Sequence, residues 1–190
     1  MKNICVLPWI SVDRNTEVDK DRISLSPCCY YESKGDYQDI DEYWNSKEIQ
    51  QLRQQFTKGE RPSGCSICWK LEDNNMKSLR ISVNESRLEK YKDRFNNSFL
   101  EEKPVQVKYT VGNQCNLSCR MCVPTSSMGV QKVWQAIGRS DKPKLDTFDY
   151  YNYILDNSET IRYIDVMGGE PFYHKKTKQL LIVLDYLVDN

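Results

Sequence analysis

Across 190 residues the 27 basic side chains balance the 27 acidic ones and the mean hydropathy is −0.70. There is no signal for nucleic acid or an anionic membrane surface, and no apolar run approaches the roughly 20 residues of a bilayer span. The opening residues, Met1 to Ile10, break at Pro8 without a small-residue cleavage site, so a reducing cytoplasm is expected, where eight cysteines act as metal or cluster ligands rather than disulfide partners.

Residues 4–12 read as a strand with Trp9 and Ile10 as apolar anchors, and residues 23–25 as a second strand that delivers Pro27-Cys28-Cys29. Tyr30 to Gln38 suits a polar loop, and Asp39 to Trp44 a short helical turn. Asn45-Ser46-Lys47-Glu48 is a capping-box candidate opening a helix with Ile49, Leu52 and Phe56 on one face and Gly59 just past its end. A CxxC pair, Cys65 and Cys68, then sits in a turn. A second amphipathic segment runs from Trp69 to about Arg87, with Trp69, Leu71, Met76, Leu79 and Val83 expected in the core.

Cys5, one of Cys28 and Cys29, Cys65 and Cys68 form a four-cysteine set that can close around a metal. Four thiolates without histidine fit a structural zinc or a fully ligated iron–sulfur cluster, and spacing does not choose between them. Side chains of adjacent residues in extended chain diverge, so one of Cys28 and Cys29 is expected as a ligand and the other as a neighbouring thiol. The series Cys5-Val6-Leu7-Pro8-Trp9, Pro27-Cys28-Cys29, Tyr43-Trp44-Asn45-Ser46, Leu52-Arg53, Cys65-Ser66-Ile67-Cys68, Glu72 and Ser78-Leu79-Arg80 resembles the SPASM or Twitch modules that accompany radical SAM enzymes. The resemblance implies that residues 1–88 are a small α+β cysteine-rich module. It would hold an auxiliary iron–sulfur cluster, with zinc as the alternative, through Cys5, Cys28, Cys29, Cys65 and Cys68.

Residues 89–104 are strongly charged, with Tyr91, Phe95, Phe99 and Leu100 at helical spacing, and read as a solvated linker helix stopped by Lys103-Pro104. Val105 to Val111 alternates like a strand, and Gly112-Asn113 releases it into a CxxxCxxC loop of Cys115, Cys119 and Cys122. Three thiolates on one tight loop can hold three irons of a cubane and leave the fourth without a protein ligand. Met128 to Gly138 reads as a helix with Val130, Val133, Trp134 and Ile137 on one face, and Phe148 to Leu155 as another amphipathic piece. Ile161 to Met167 is apolar and β-rich and ends at Gly168-Gly169-Glu170-Pro171. Lys175 to Val188 then gives a helix with Leu180, Leu181, Leu184 and Leu187 inward. Strand, helix, strand, helix predicts a parallel α/β unit, with both chemically suggestive loops at the C-terminal ends of its strands, where such folds build their sites.

The CxxxCxxC loop and the Gly-Gly-Glu-Pro turn together resemble the radical S-adenosylmethionine (SAM) superfamily. The resemblance implies that Cys115, Cys119 and Cys122 bind a 4Fe-4S cluster whose free iron is chelated by the methionine end of SAM. Gly168, Gly169 and Glu170, with Pro171 closing the motif, would meet the methionine amino group, and Met121 would lie beside the adenine. One electron would release a 5′-deoxyadenosyl radical. A low-potential electron donor such as a flavodoxin or ferredoxin and a peptide or protein substrate are the implied partners. Residues 105–190 would then be the N-terminal, truncated part of an incomplete radical SAM (β/α)6-type partial barrel, since they hold only two strand–helix units. A noncatalytic iron–sulfur or zinc-binding interaction module is the alternative. His174, the single histidine, reads as a partly exposed helix-entry residue.

Overall fold

A computed structural model describes residues 3–17, 22–31, 33–139, 149–175 and 177–182. Its strands form one four-stranded sheet in the order β2-β1-β3-β4, from β1 (Ser11–Glu17), β2 (Arg22–Ser26), β3 (Gln106–Thr110) and β4 (Tyr163–Met167). The four residues between β1 and β2 are too few for a parallel crossover, so these neighbours are antiparallel. Tyr163 N–H donates to Val105 O and Val111 N–H to Met167 O, at 3.0 and 2.8 Å. Residue numbers rise together on the two chains, so β3 and β4 run parallel, as the strand–helix–strand order predicts. The fold is therefore α/β with a mixed sheet. Among the described residues no helix is long and apolar enough to cross a membrane.

The chain divides into two compact units. The first is Met1–Asp13, Ser24–Val107 and Glu159–Tyr163, and the second is Arg14–Ile23, Lys108–Ser158 and Ile164–Asn190. In the first, the expected strand over residues 4–12 is replaced by a short helix, α1 (Leu7–Ile10), with Pro8 in its first turn. Proline has the right φ for a helix start and no N–H to give a ladder, which is why the strand begins only at Ser11. Helices α2 (Ile40–Trp44) and α3 (Lys47–Thr57) follow, capped by Asp39 and Ser46. Ser46, not Asn45, takes the cap, and Glu48 reaches instead to the loop before it, accepting from the Lys34 and Gly35 amides at 2.9 and 3.0 Å. The expected capping box is thus not made. Gly59 does close α3, at φ +75°, with its N–H on Phe56 O and that of Glu60 on Gln55 O, a Schellman ending.

The segment from Trp69 to Arg87 is two helices rather than one. Helix α4 (Ser66–Asp73) stops at Asn75, which takes a left-handed φ of +56°, and Ser78 caps α5 (Leu79–Tyr91) afresh. Of its five expected core residues only Trp69 is buried, while Met76 is exposed and the buried positions of the second helix start are Ser78 and Arg80.

Residues 92–102 are not a solvated helix. After a 3-10 turn (Lys92–Asn96), Phe95 and Leu100 are buried and the backbone is pinned to the first three helices. Trp9 Nε1 donates to Asn97 O at 3.1 Å, Trp44 Nε1 to Glu102 O at 2.8 Å, and Asn45 exchanges two hydrogen bonds with Leu100. Arg53, fully buried on α3, donates to Pro8 O at 2.8 Å, Ser98 O at 2.7 Å and Asn45 Oδ1 at 3.2 Å, with its guanidinium 4.6 Å above Trp44. Among the described residues this cation has no carboxylate partner and is held by oxygen dipoles and a ring face, and burial lowers its pKa to about 10.

In the second unit, α6 (Met128–Ala136) and α7 (Tyr150–Asp156) fall between β3 and β4. Val130, Tyr150 and Ile154 are buried, but Val133 and Ile137, expected inward, are exposed. Beyond β4, residues 175 and 177–182 are helical, with Leu180 buried and Leu181 exposed. The expected inward Leu184 and Leu187 lie outside the described residues, as does the expected start of α7 at Phe148.

Candidate metal and cofactor sites

In the first unit Cys5, Cys28, Cys65 and Cys68 line one cavity, with Tyr31 and Arg80 among its other walls. Cys5 comes from the turn before α1, Cys28 from the exit of β2, and Cys65 and Cys68 from a 3-10 turn and the first turn of α4. Four cysteines spread over more than 60 positions of sequence are therefore gathered by a strand end and two helix starts. Cys29 is exposed and does not line the cavity, so the adjacent pair does diverge and Cys28 is the member turned inward.

All eight cysteines are thiols. Burial pushes the Cys5 thiol well up, aided by the neighbouring Cys28, Cys65 and Cys68; burial likewise raises Cys28 and Cys65 to about 12. Thiolates crowded here repel one another and lack water, a condition that a thiophilic cation or cluster relieves. The donor set suits such a group, and loading it would release protons, so binding weakens as pH falls. Among the described residues, however, no group of three or more His, Cys, Asp or Glu side chains is placed to hold a single metal ion.

The walls of this cavity rest on residues outside the cysteine pattern. Asn84 on α5 accepts from Val6 N–H at 3.0 Å and donates to Ile4 O at 2.8 Å, clamping both peptides that flank Cys5. Arg80 adds a hydrogen bond to Ile4 O at 2.8 Å and lies 4.8 Å over the Trp69 ring. Glu72 pairs with Arg80 and accepts from Ser78 Oγ at 2.5 Å. Burial pushes the Glu72 carboxyl up, but the Arg80 and Ser78 hydrogen bonds and the Arg80 and Arg61 charges outweigh it and hold it below the ordinary carboxylate range. The sign follows from linkage: a depressed folded pKa gives stability that is complete above the unfolded value, near 4.5, and lost as pH falls through the lower folded one. Denaturant midpoints taken down from pH 5 are expected to drop more steeply for the parent than for Glu72→Gln; parallel profiles would rule this out.

A second test concerns the adjacent thiols. If the cavity takes up a thiophilic metal on anaerobic reconstitution, Cys28→Ser is expected to lose that uptake and Cys29→Ser to keep it, as read by metal and sulfide content. Equal loss in both would contradict the assignment of Cys28.

In the second unit the cysteine loop and the Gly-Gly-Glu-Pro turn are in direct backbone contact. Glu170 N–H donates to Gln114 O at 2.9 Å, one residue before Cys115. Gly169 has φ +53°, and a Cβ there would lie 2.2 Å from the same Gln114 oxygen; at Gly168, φ +84°, it would meet Thr110 Cγ2 at 2.2 Å and Gly112 O at 2.9 Å. Both glycines are thus required for the turn to seat against the strand exit. Glu170 caps the following 3-10 turn (Pro171–Tyr173) by accepting from Phe172 N–H at 3.2 Å.

Cys115 and Cys122 are half-buried and Cys119 is exposed. Leu117 N–H donates to Cys115 Sγ at 3.4 Å, and a turn closes from Cys122 N–H to Cys119 O at 2.9 Å. Met121 stands 93 % exposed. The loop is tied down by two residues that motif reading passed over. Asn113, buried, donates to Pro124 O at 3.0 Å and Gln131 Oε1 at 2.8 Å, while its carbonyl accepts from Met128 N–H at 2.8 Å. Ser127, fully buried, donates to Leu117 O at 2.9 Å and accepts from Val130 N–H at 3.3 Å. The only cue in the sequence is their position, one at the strand exit and one at the helix entry. His174 is half-buried after the 3-10 turn, and its Nδ1 has no hydrogen-bond partner among the described residues.

Comparison with protein-family profiles, characterised proteins and solved structures gave no match, so the chemistry of both sites rests on their own residues.

Proposed function

We propose that this chain is a radical SAM protein that carries an auxiliary metal cluster in its first unit. The observation that supports the reading best is the seating of the Gly168-Gly169-Glu170 turn on the backbone that opens the Cys115, Cys119 and Cys122 loop. A three-thiolate loop leaves one iron open, and the seated turn holds Glu170 beside the residue that precedes Cys115, where its carboxylate can serve a ligand of that iron. Loaded with a 4Fe-4S cluster and SAM, the site would supply a 5′-deoxyadenosyl radical for hydrogen abstraction.

On this reading Cys115, Cys119 and Cys122 hold the reactive cluster. Glu170 offers the carboxylate oxygen not used by Phe172 N–H to an ammonium group, and Met121 is free to pack on a ligand. The four thiols of the first unit take a closed auxiliary cluster or zinc. The parallel β3 and β4 would open a (β/α)6-type partial barrel. The enzyme would work in the cytoplasm with a low-potential electron donor, on a peptide or protein side chain.

Anaerobic reconstitution tests this, with iron, sulfide and zinc counted and 5′-deoxyadenosine measured after reduction in the presence of SAM. About eight irons and nucleoside release are expected. Bound zinc with no SAM cleavage, in this chain and in any longer reading frame that contains it, would leave a noncatalytic metal-binding module instead.

A further inference from the structure

Beside the thiol cavity, and sharing Tyr31 with it, an open cleft of about 540 Å³ runs along α3. Its walls include Lys34, Lys47, Gln51, Gln55 and the backbone turn at Gly64. We infer that this cleft binds an extended peptide segment bearing carboxylate side chains.

The chemistry of the walls carries the inference. Lys47, Gln51 and Gln55 recur every fourth residue, so they form one stripe along α3, roughly 12 Å long. Among the described residues no hydrogen bond or ion pair involves the side chains of these three or of Lys34. Two ammonium groups and two primary amides are therefore available to a ligand. Among the described residues of the lining the one carboxylate, Glu48, is already engaged. It accepts from Ser33 Oγ at 3.2 Å, the Lys34 and Gly35 amides and Tyr37 Oη at 3.0 Å, and it is hydrogen-bonded to Tyr31 as well. What the cleft offers a ligand is thus two ammonium groups and two amides beside the walls of Tyr31, Tyr37, Leu52 and Pro62.

Glutamine amides donate and accept, which matches peptide groups, while the lysines match carboxylates. A stripe of this length accommodates about four residues of extended chain. A small anion would need only the lysines, and a wholly apolar ligand would leave the ammonium groups and amides without partners. The cleft extends the peptide-modification reading above by naming its substrate as acidic, and it would hold that substrate against the Tyr31 wall of the thiol cavity. Its test needs neither cluster reduction nor SAM, so the two readings can fail separately.

The full chain would be titrated calorimetrically with a short capped peptide alternating Gly and Glu, with its Gln and Lys counterparts, and with free glutamate and inorganic phosphate. The Glu peptide is expected to bind, and the Gln and Lys peptides much more weakly. The double variant Lys34→Glu, Lys47→Glu should weaken binding about tenfold or more, Gln51→Ala with Gln55→Ala several-fold, and Lys58→Glu, an exposed charge outside the cleft, not at all. Circular dichroism confirms that each variant is folded. Equal binding of the Glu and Gln peptides, or an equal effect of Lys58→Glu, would overturn the proposal. Full competition by phosphate or free glutamate at the concentration of the peptide would also overturn it, in favour of a small-anion site.

Discussion

On the proposed function, Gly169→Ala is expected to remove SAM cleavage almost entirely while leaving most of the iron in place. The added Cβ would lie 2.2 Å from Gln114 O and 3.0 Å from Gln114 C, both backbone atoms, at φ +53°. No rotamer change can relieve that contact, and the left-handed backbone itself costs about 1–2 kcal/mol for a residue with a Cβ. Relief requires the turn to move off the strand exit, breaking the 2.9 Å hydrogen bond from Glu170 N–H to Gln114 O. A shift near 1 Å in a group that positions a reacting ligand can cost about a hundredfold in rate. The three cysteines are unaffected in sequence, so iron binding should survive. Gly168→Ala is expected to be less severe because its nearest clash is with the Thr110 methyl, a side-chain group, although Gly112 O at 2.9 Å still resists. Normal 5′-deoxyadenosine production by Gly169→Ala would remove the turn from the proposed site.

The second large effect is expected at Arg53. Arg53→Ala leaves the carbonyls of Pro8 and Ser98 without the guanidinium donor, while the Asn45 side-chain oxygen keeps only its hydrogen bond from Leu100 N–H. Each orphaned acceptor costs about 1–3 kcal/mol, so the variant should lose at least about 2 kcal/mol of stability. Arg53→Met separates packing from hydrogen bonding, because it restores much of the volume but none of the donors. A loss in Arg53→Met close to that in Arg53→Ala, in urea titrations followed by tryptophan fluorescence, is the expected result; a methionine variant as stable as the parent would refute it. Pro8 follows Cys5 by three residues, so the destabilised variants should also retain less metal in the first unit.

Sequence and structure agree where local rules suffice. The cysteine spacings and the glycine that ends α3 depend on neighbours a few residues away, and each was legible, while the parallel pairing of β3 and β4 followed from their order in the chain with helices between them. Pro8 misled because its neighbours are apolar and β-branched, yet a residue without an N–H and with φ near −65° starts a helix more readily than it joins a ladder. Asn74 and Asn75 split a periodic apolar segment because an asparagine in the left-handed region ends a helix as glycine does. The supports of both sites were not legible for a different reason. Arg53, Asn84 and Asn113 work through carbonyls up to 80 positions away, and nothing in their surroundings announces the partner. Choosing Cys28 over Cys29 likewise required the exit direction of β2, which periodicity does not supply.

One hydroxyl group joins the cysteine loop to the helix that follows it. Ser127 gives its proton to Leu117 O and receives the Val130 amide, so a change in loop shape on loading of the proposed cluster is passed to the capping hydrogen bond of α6. That makes the Val130 amide a built-in gauge: its hydrogen exchange should slow when the loop is filled and quicken when the cluster is lost to oxygen, reporting cluster state from a position that touches no iron.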